Sequence, residues 1–131
     1  MITLIIGLRG CGKSTKAKEL IKNGGLIYDL DAIAAALTLT KPQEEYNPQA
    51  RAMANYLLKD FVLNAPRYHE NIIVIRTAPT TNELYFLKPD LIIYKRTNYV
   101  YRETENAKDK KDRIKNVLRY AAQRDIEVIT E

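Results

Sequence analysis

The segment Ile5 to Thr15 reads IIGLRGCGKST, and Gly7 to Ser14 match the pattern G-x-x-x-x-G-K-[ST]. Each residue type in it suits one job. Gly7, Gly10 and Gly12 let the backbone turn tightly and come close to a polyanion, so that neighbouring N–H groups point inward as a nest. A helix starting near Lys13 adds its positive N-terminal end. Lys13 reaches the β- and γ-phosphates as a point charge, the Ser14 hydroxyl suits Mg²⁺, and Thr15 is placed to touch the α-phosphate. The expected ligand is therefore a nucleoside triphosphate, ATP or GTP, with Mg²⁺. Its contact set is Gly7, Leu8, Arg9, Gly10, Cys11, Gly12, Lys13, Ser14 and Thr15. Arg9 and Cys11 fill the loop's variable positions. Cys11 fits there as a small residue, and its place before a helix N-terminus opens it to nucleotide-protected alkylation. The motif leaves open whether the phosphate is hydrolysed, transferred or held.

A second set of reactive groups lies in YDLDAIAAAL, residues 28–37. Phosphoryl transfer to a hydroxyl needs a carboxylate to take the proton, and often a second acid to help hold the metal. Asp29 and Asp31 are one residue apart at a strand end, so they point in different directions and can divide these jobs. Asp31 also suits the N-cap of the next helix. Further on, NIIVIRT ends in Arg76 and Thr77. Arg76 suits an acceptor phosphate, or an ion pair with Asp29 or Asp31. Thr77 suits a phosphate contact or a turn cap.

The elements that must position these groups alternate along the chain. ITLIIG is a short β-rich run ending in glycine. A helix follows from Lys13 to about Lys22, with Ala17, Leu20 and Ile21 on one face, and NGG at 23–25 closes it. LIYDLD is a second strand and AIAAAL a helix. A longer helix from about Pro48 to Asn64 places Ala50, Met53, Leu57, Phe61 and Ala65 on one face. NIIVIRT is a third strand, APTTNEL a loop into a short helix, and PDLIIYKR a fourth strand. A helix from about Asp109 to Arg124 turns Ile114, Val117, Leu118 and Ala121 to the core, and IEVIT is the fifth strand. This alternation predicts an α/β fold: a three-layer α/β/α sandwich on a five-stranded, mainly parallel sheet. Ligands in such sheets sit at the carboxyl ends of the strands. Asp29, Asp31, Arg76, Thr77, Lys95 and Arg96 all fall there.

Bulk properties bound the rest. A chain of 131 residues has room for one core, so 1–131 is expected to be one domain. No apolar run approaches the ~20 residues that span a bilayer. The first residues pass directly into the phosphate loop, unlike a signal peptide. One cysteine cannot form an internal disulfide. The expected setting is the cytoplasm, with no membrane partner. The formal charge is +5, and from Lys95 to Arg124 ten Lys or Arg stand against four Asp or Glu. This basic C-terminal third suits a polyanion, either the triphosphate or nucleic acid, or else a solvated helix face.

The loop, the short chain and the strand–helix alternation resemble the kinase branch of the P-loop NTPases. YDLD is similar to the Asp-x-Asp of shikimate-kinase-like enzymes and to the second strand of polynucleotide-kinase and zeta-toxin-like kinases. The resemblance implies that Asp31 is the base and Asp29 the metal helper, beside Ser14. GLIYDLDAIAAAL with VIRTAP also resembles small phage-encoded ATP-binding proteins, which would place the chain in a host cytoplasm and in phage DNA metabolism. Kinases of this branch close an arginine-bearing lid over the phosphates. Residues 95–113 stand in its place, with Arg96, Arg102 and Arg113 as candidates and Tyr99 and Tyr101 able to stack on a base. Two departures bear on activity. The third strand ends in Arg76 where a motor ATPase has an acid, and RTAPT stands where shikimate kinases have a glycine pair, which excludes shikimate. The expected catalytic set is Lys13, Asp31, Arg76, Arg96 and Arg102. The expected function is transfer of a γ-phosphate to a hydroxyl of a nucleic acid or small molecule. The alternatives are a non-catalytic accessory module that binds nucleotide and a weak NTPase acting on nucleic acid.

Overall fold

The computed structural model describes residues 1–8, 10–41, 47–96 and 105–131. Five strands form one sheet: β1 (Ile2–Ile6), β2 (Leu26–Asp29), β3 (Ile72–Ile75), β4 (Leu91–Tyr94) and β5 (Glu127–Thr130). Their order is β2-β3-β1-β4-β5, and every pairing is parallel. The three central strands are almost wholly apolar (ITLII, IIVI, LIIY), as strands covered on both faces must be.

The helices are α1 (Lys13–Leu20), α2 (Leu30–Thr38), α3 (Pro48–Asn64), α4 (Thr81–Leu87) and α5 (Glu105–Gln123). Strand alternation splits the core in two. Ile5, Ile73, Ile75 and Ile93 face α1, where they meet Ala17. Leu4, Ile6, Val74 and Ile92 face the other way, against Leu58 and Val62 of α3, Leu84 and Leu87 of α4, and Ile114, Val117 and Ala121 of α5. The connections explain this division. The step from β1 to β2 runs one way across the sheet, and the later steps run the other way. Right-handed crossovers then put α1 on one face and α3, α4 and α5 on the opposite face. Small residues let α2 lie close on α3, through Ala34, Ala50 and Ala54.

Three details differ from the sequence expectation. The buried row of α3 is Ala50, Ala54, Leu58 and Val62, while Met53 is half exposed and Phe61 only partly buried. Both rows fit a helical period, and packing against α2 and Tyr28 chose between them. The cap of α2 is Asp29, not Asp31: its Oδ1 accepts from the Asp31 N–H at 3.1 Å and the Ala32 N–H at 3.5 Å. The helix starts at Leu30, two residues before AIAAAL, so Asp31 lies inside its first turn. Finally, α5 begins at Glu105, four residues before Asp109.

Candidate functional site

The phosphate loop links β1 to α1. Gly7 sits at the end of β1 with φ 150°, and a Cβ there would lie 2.5 Å from the Lys95 carbonyl oxygen. Its N–H donates to the Thr77 carbonyl at 3.1 Å, which ties the loop to the end of β3. Gly12 takes a left-handed conformation as N-cap of α1 and offers no side-chain cap. The first N–H groups of a helix have no partner within it. Here they open onto a cleft of about 840 Å³ lined by Gly10, Gly12, Lys13, Ser14 and Thr15 at this end. Arg9 lies outside the described residues.

Lys13 folds back onto its own loop. Its ammonium donates to the Gly7 carbonyl at 2.6 Å and the Leu8 carbonyl at 3.1 Å, and Cys11 Sγ lies at 3.9 Å. Burial pushes the Lys13 pKa below its ordinary value, opposed by the negative potential of Cys11, Asp29 and Asp31. A phosphate would supply the missing counter-charge. Cys11 is half-buried and unbridged, as a small residue fitting the loop should be.

The two acids point in different directions, as their spacing predicts. Asp29 Oδ2 accepts from the Ser14 hydroxyl at 3.2 Å, so the two expected magnesium groups meet beside the loop. Tyr28, at 0% exposure, fixes the strand just before them. Its hydroxyl donates to the Ala54 carbonyl, and burial pushes its pKa up to about 12, so it stays a neutral donor. Asp31 points the other way along the cleft, where its Oδ1 accepts from Arg51 Nη1 of α3. Among the described residues no group of three or more His, Cys, Asp or Glu gathers as a metal cage. Ser14 and Asp29 nevertheless suit Mg²⁺, which keeps several waters and takes one or two carboxylates plus phosphate oxygens.

Arg76 lines the cleft but pairs with neither Asp29 nor Asp31. Nη2 lies 2.8 Å from Glu83 Oε2 and donates to Oε1 at 3.0 Å, while Nη1 donates to Asn55 Oδ1 at 2.8 Å. Glu83 Oε2 has no hydrogen bond of good geometry. Its short approach to Arg76 is thus a Coulombic contact, and the directed bond is the one to Oε1. Both side chains are largely buried, at 14% and 18% exposure. TTNE, residues 80–83, has the capping-box spacing, and Thr80 caps α4 by accepting from the Glu83 N–H at 3.2 Å. The Glu83 carboxylate turns instead to Arg76 and the Thr80 hydroxyl.

The remaining expected residues separate. Lys95 turns from the cleft to Glu131 Oε2 at 3.2 Å, and Lys16 reaches Glu131 Oε1 at 2.7 Å. Arg96 is exposed, and its N–H donates to the Glu131 carbonyl at 2.9 Å. It does not line the cleft, whereas Arg113 does, beside Lys110 of α5. Arg102, Tyr99 and Tyr101 lie outside the described residues. Sequence reasoning missed the far wall: Asn47, Arg51 and Asn55 of α3 all line the cleft. Their spacing of four, one position on from the buried row Ala50–Ala54–Leu58, was the available signal.

A parallel sheet in this order, with a G-x-x-x-x-G-K-S loop between β1 and α1, is a P-loop NTPase fold. Among solved structures, the chain is similar to the APS kinase of Mycobacterium tuberculosis, determined as a cysteine-to-alanine mutant. The two are 16% identical, the TM-score is 0.51, and the alignment covers 87% of this chain and 96% of that one. At this identity the likeness speaks for the fold. No family model and no curated protein matches the chain. No helix among the described residues is long and apolar enough to cross a membrane.

Proposed function

We propose that the protein is a P-loop kinase that moves the γ-phosphate of ATP to a hydroxyl. The observation that carries this reading is the extent of the cleft. It runs from the phosphate loop past Asp29 to Asp31 and the polar wall of α3, which leaves room for an acceptor beyond the nucleotide. Asp31 lies in that extension, where an acceptor hydroxyl would reach it.

Lys13 and the loop N–H groups would hold the β- and γ-phosphates. Ser14 and Asp29 would hold Mg²⁺, which when bound neutralises charge on those oxygens. Asp31 would orient the acceptor hydroxyl and take its proton as the new O–P bond forms. The bond from the γ-phosphorus to the bridging oxygen breaks, ADP leaves, and Asp31 returns the proton to water. Lys110 and Arg113 of α5 would cover the transferring group and exclude water. Both lie at the α5 end of the expected lid segment, 95–113. The basic α5 makes a nucleic-acid acceptor one candidate beside small hydroxyl compounds.

A second reading, a nucleotide-binding module without transfer, draws on the engagement of Asp31 by Arg51 and of Arg76 by Glu83. One assay separates the two. γ-Labelled ATP and Mg²⁺ are incubated with 5′-hydroxyl DNA and RNA oligonucleotides and a panel of nucleosides and sugars. Label should move to an acceptor with wild type and be lost in Lys13→Ala and Asp31→Asn. Tight, Lys13-dependent ATP binding with no transfer to any acceptor would leave the second reading.

A further inference from the structure

We propose that the solvent side of α5 is a docking surface for the phosphate backbone of a single-stranded nucleic acid, and that it leads the end of that strand into the cleft. The docking surface stands on charge and position. That the docked strand is the phosphoryl acceptor rests on the kinase reading above.

Four observations carry it. First, the cations of α5 are ordered. Ile114, Val117 and Ala121 turn to the core, and the side turned to solvent carries Lys108, Lys111, Lys115 and Arg119, all exposed. Their spacing of three, four and four residues sets them in one row along the helix, about 16 Å from end to end. Second, little acid offsets the row. Residues 108–119 hold six Lys or Arg against Asp109 and Asp112. By the helical period Asp112 shares the side of the row, while Asp109 stands on the flank, four residues before Arg113. None of the four forms an ion pair with a described side chain. Like charges at this spacing repel and weaken the helix that bears them, whereas opposite signs would support it. Third, the neighbouring strand keeps its acids away. Val128 of β5 packs in the same core as α5. Strand alternation therefore sends Glu127 and Glu131 to the other face of the sheet, where Glu131 meets Lys16 of α1. Fourth, the row starts at the site. Lys110 and Arg113, on the same turns of α5, line the cleft.

The occupant follows from this arrangement. Lysines along a line hold a run of phosphates through charge and read no sequence. A single row tracks one backbone, and a cleft of about 840 Å³ that would also hold a nucleotide admits one strand end rather than a duplex. A lipid surface fits less well. Helices that lie on membranes bury an apolar face there. The apolar face of α5 is used by the core, and no large apolar residue is exposed among its described residues.

The test measures binding of labelled 5′-hydroxyl DNA and RNA single strands of mixed sequence by fluorescence anisotropy. Wild type is set beside the double variant Lys115→Gln with Arg119→Gln. A second double variant, Lys18→Gln with Lys22→Gln, removes equal charge from exposed positions at the α1 side. Melting temperatures with and without ATP and Mg²⁺ check that all three fold and bind nucleotide. With four phosphates neutralised, wild-type affinity should fall about 50-fold as salt rises from about 50 to about 200 mM, and the α5 variant, which keeps two of the row, should lose only about 7-fold. The α1 variant should follow wild type. In transfer assays the α5 variant should raise KM for strands and leave nucleosides unchanged. Strand binding that the α5 variant leaves intact, or that both variants weaken alike, would overturn the proposal. Binding to phosphatidylserine vesicles but not to strands would overturn it too. Row-dependent strand binding with no transfer to any acceptor would uphold the surface and overturn the kinase reading. Transfer to nucleosides or sugars with no strand binding would do the reverse.

Discussion

At the scale of single residues, Asp29 does two things that one substitution cannot separate but two can. Its Oδ1 caps α2, while its Oδ2 meets Ser14 at the expected metal position. Asn caps helices about as well as Asp, and Ala does not. Asp29→Asn should therefore keep the melting temperature while raising the Mg²⁺ concentration needed for half-maximal activity. Asp29→Ala should lose the metal response and about 1 kcal/mol of stability as well. A Mg²⁺ titration beside a urea melt reads both. The acids were legible in the sequence because strand-end carboxylates are few. Which of them caps the helix was not legible, since both spacings allow a cap. The missing fact was that the helix starts at Leu30.

At the scale of elements, Arg76 joins three of them. It stands at the end of β3, donates to Asn55 of α3 and pairs with Glu83 of α4. Removing one partner of a buried pair strands the other charge, so Glu83→Ala should cost about 3 kcal/mol in chemical denaturation. The double variant Arg76→Met with Glu83→Leu should recover most of that loss, because it strands no charge. Glu131 makes a looser joint from the end of β5 to Lys16 of α1 and Lys95 after β4. Hydrogen bonds from Lys16 and then Lys95 hold its carboxyl below the ordinary value of 4.5. A depressed carboxyl adds stability above its unfolded value and loses it as pH falls through the folded value. Melting temperature should therefore fall less steeply below pH 4.5 in Glu131→Gln than in wild type. The elements themselves were readable from apolar runs and turn residues. Joints such as Arg76–Glu83 were not, because residues seven apart meet only once β3 and α4 are placed. The side of α3 that faces the sheet was ambiguous for a similar reason. Ala50-Met53-Leu57 and Ala50-Ala54-Leu58 are equally periodic, and only the neighbour decides.

At the scale of the whole molecule, one sheet carries both cores, so the chain should unfold in a single transition seen alike by tyrosine fluorescence and circular dichroism. Ligand that binds only the folded state then stabilises all of it. ATP with Mg²⁺ at 100 times its dissociation constant should raise the melting temperature by about 10 °C. Lys13→Ala should lose most of that shift at the same concentrations. The fold was legible at this scale because the strand–helix rhythm leaves few topologies, and the sheet order agrees with it. The far end of the cleft, where we propose that the acceptor binds, was less so, since it is assembled from α2, α3 and α5, which are distant in sequence.

Helix α1, which begins at the phosphate loop, also covers one face of the core: its Ala17 and Leu20, with Ile21 just beyond, pack on the layer of Ile5, Ile73, Ile75 and Ile93. It has only eight residues, and its first turn has no side-chain cap. Nucleotide bound at that first turn would add to what holds the helix on the sheet. Opening it exposes a layer of isoleucines to proteases, and bound nucleotide clamps it shut. Limited proteolysis should therefore be slower with ATP and Mg²⁺ than without them.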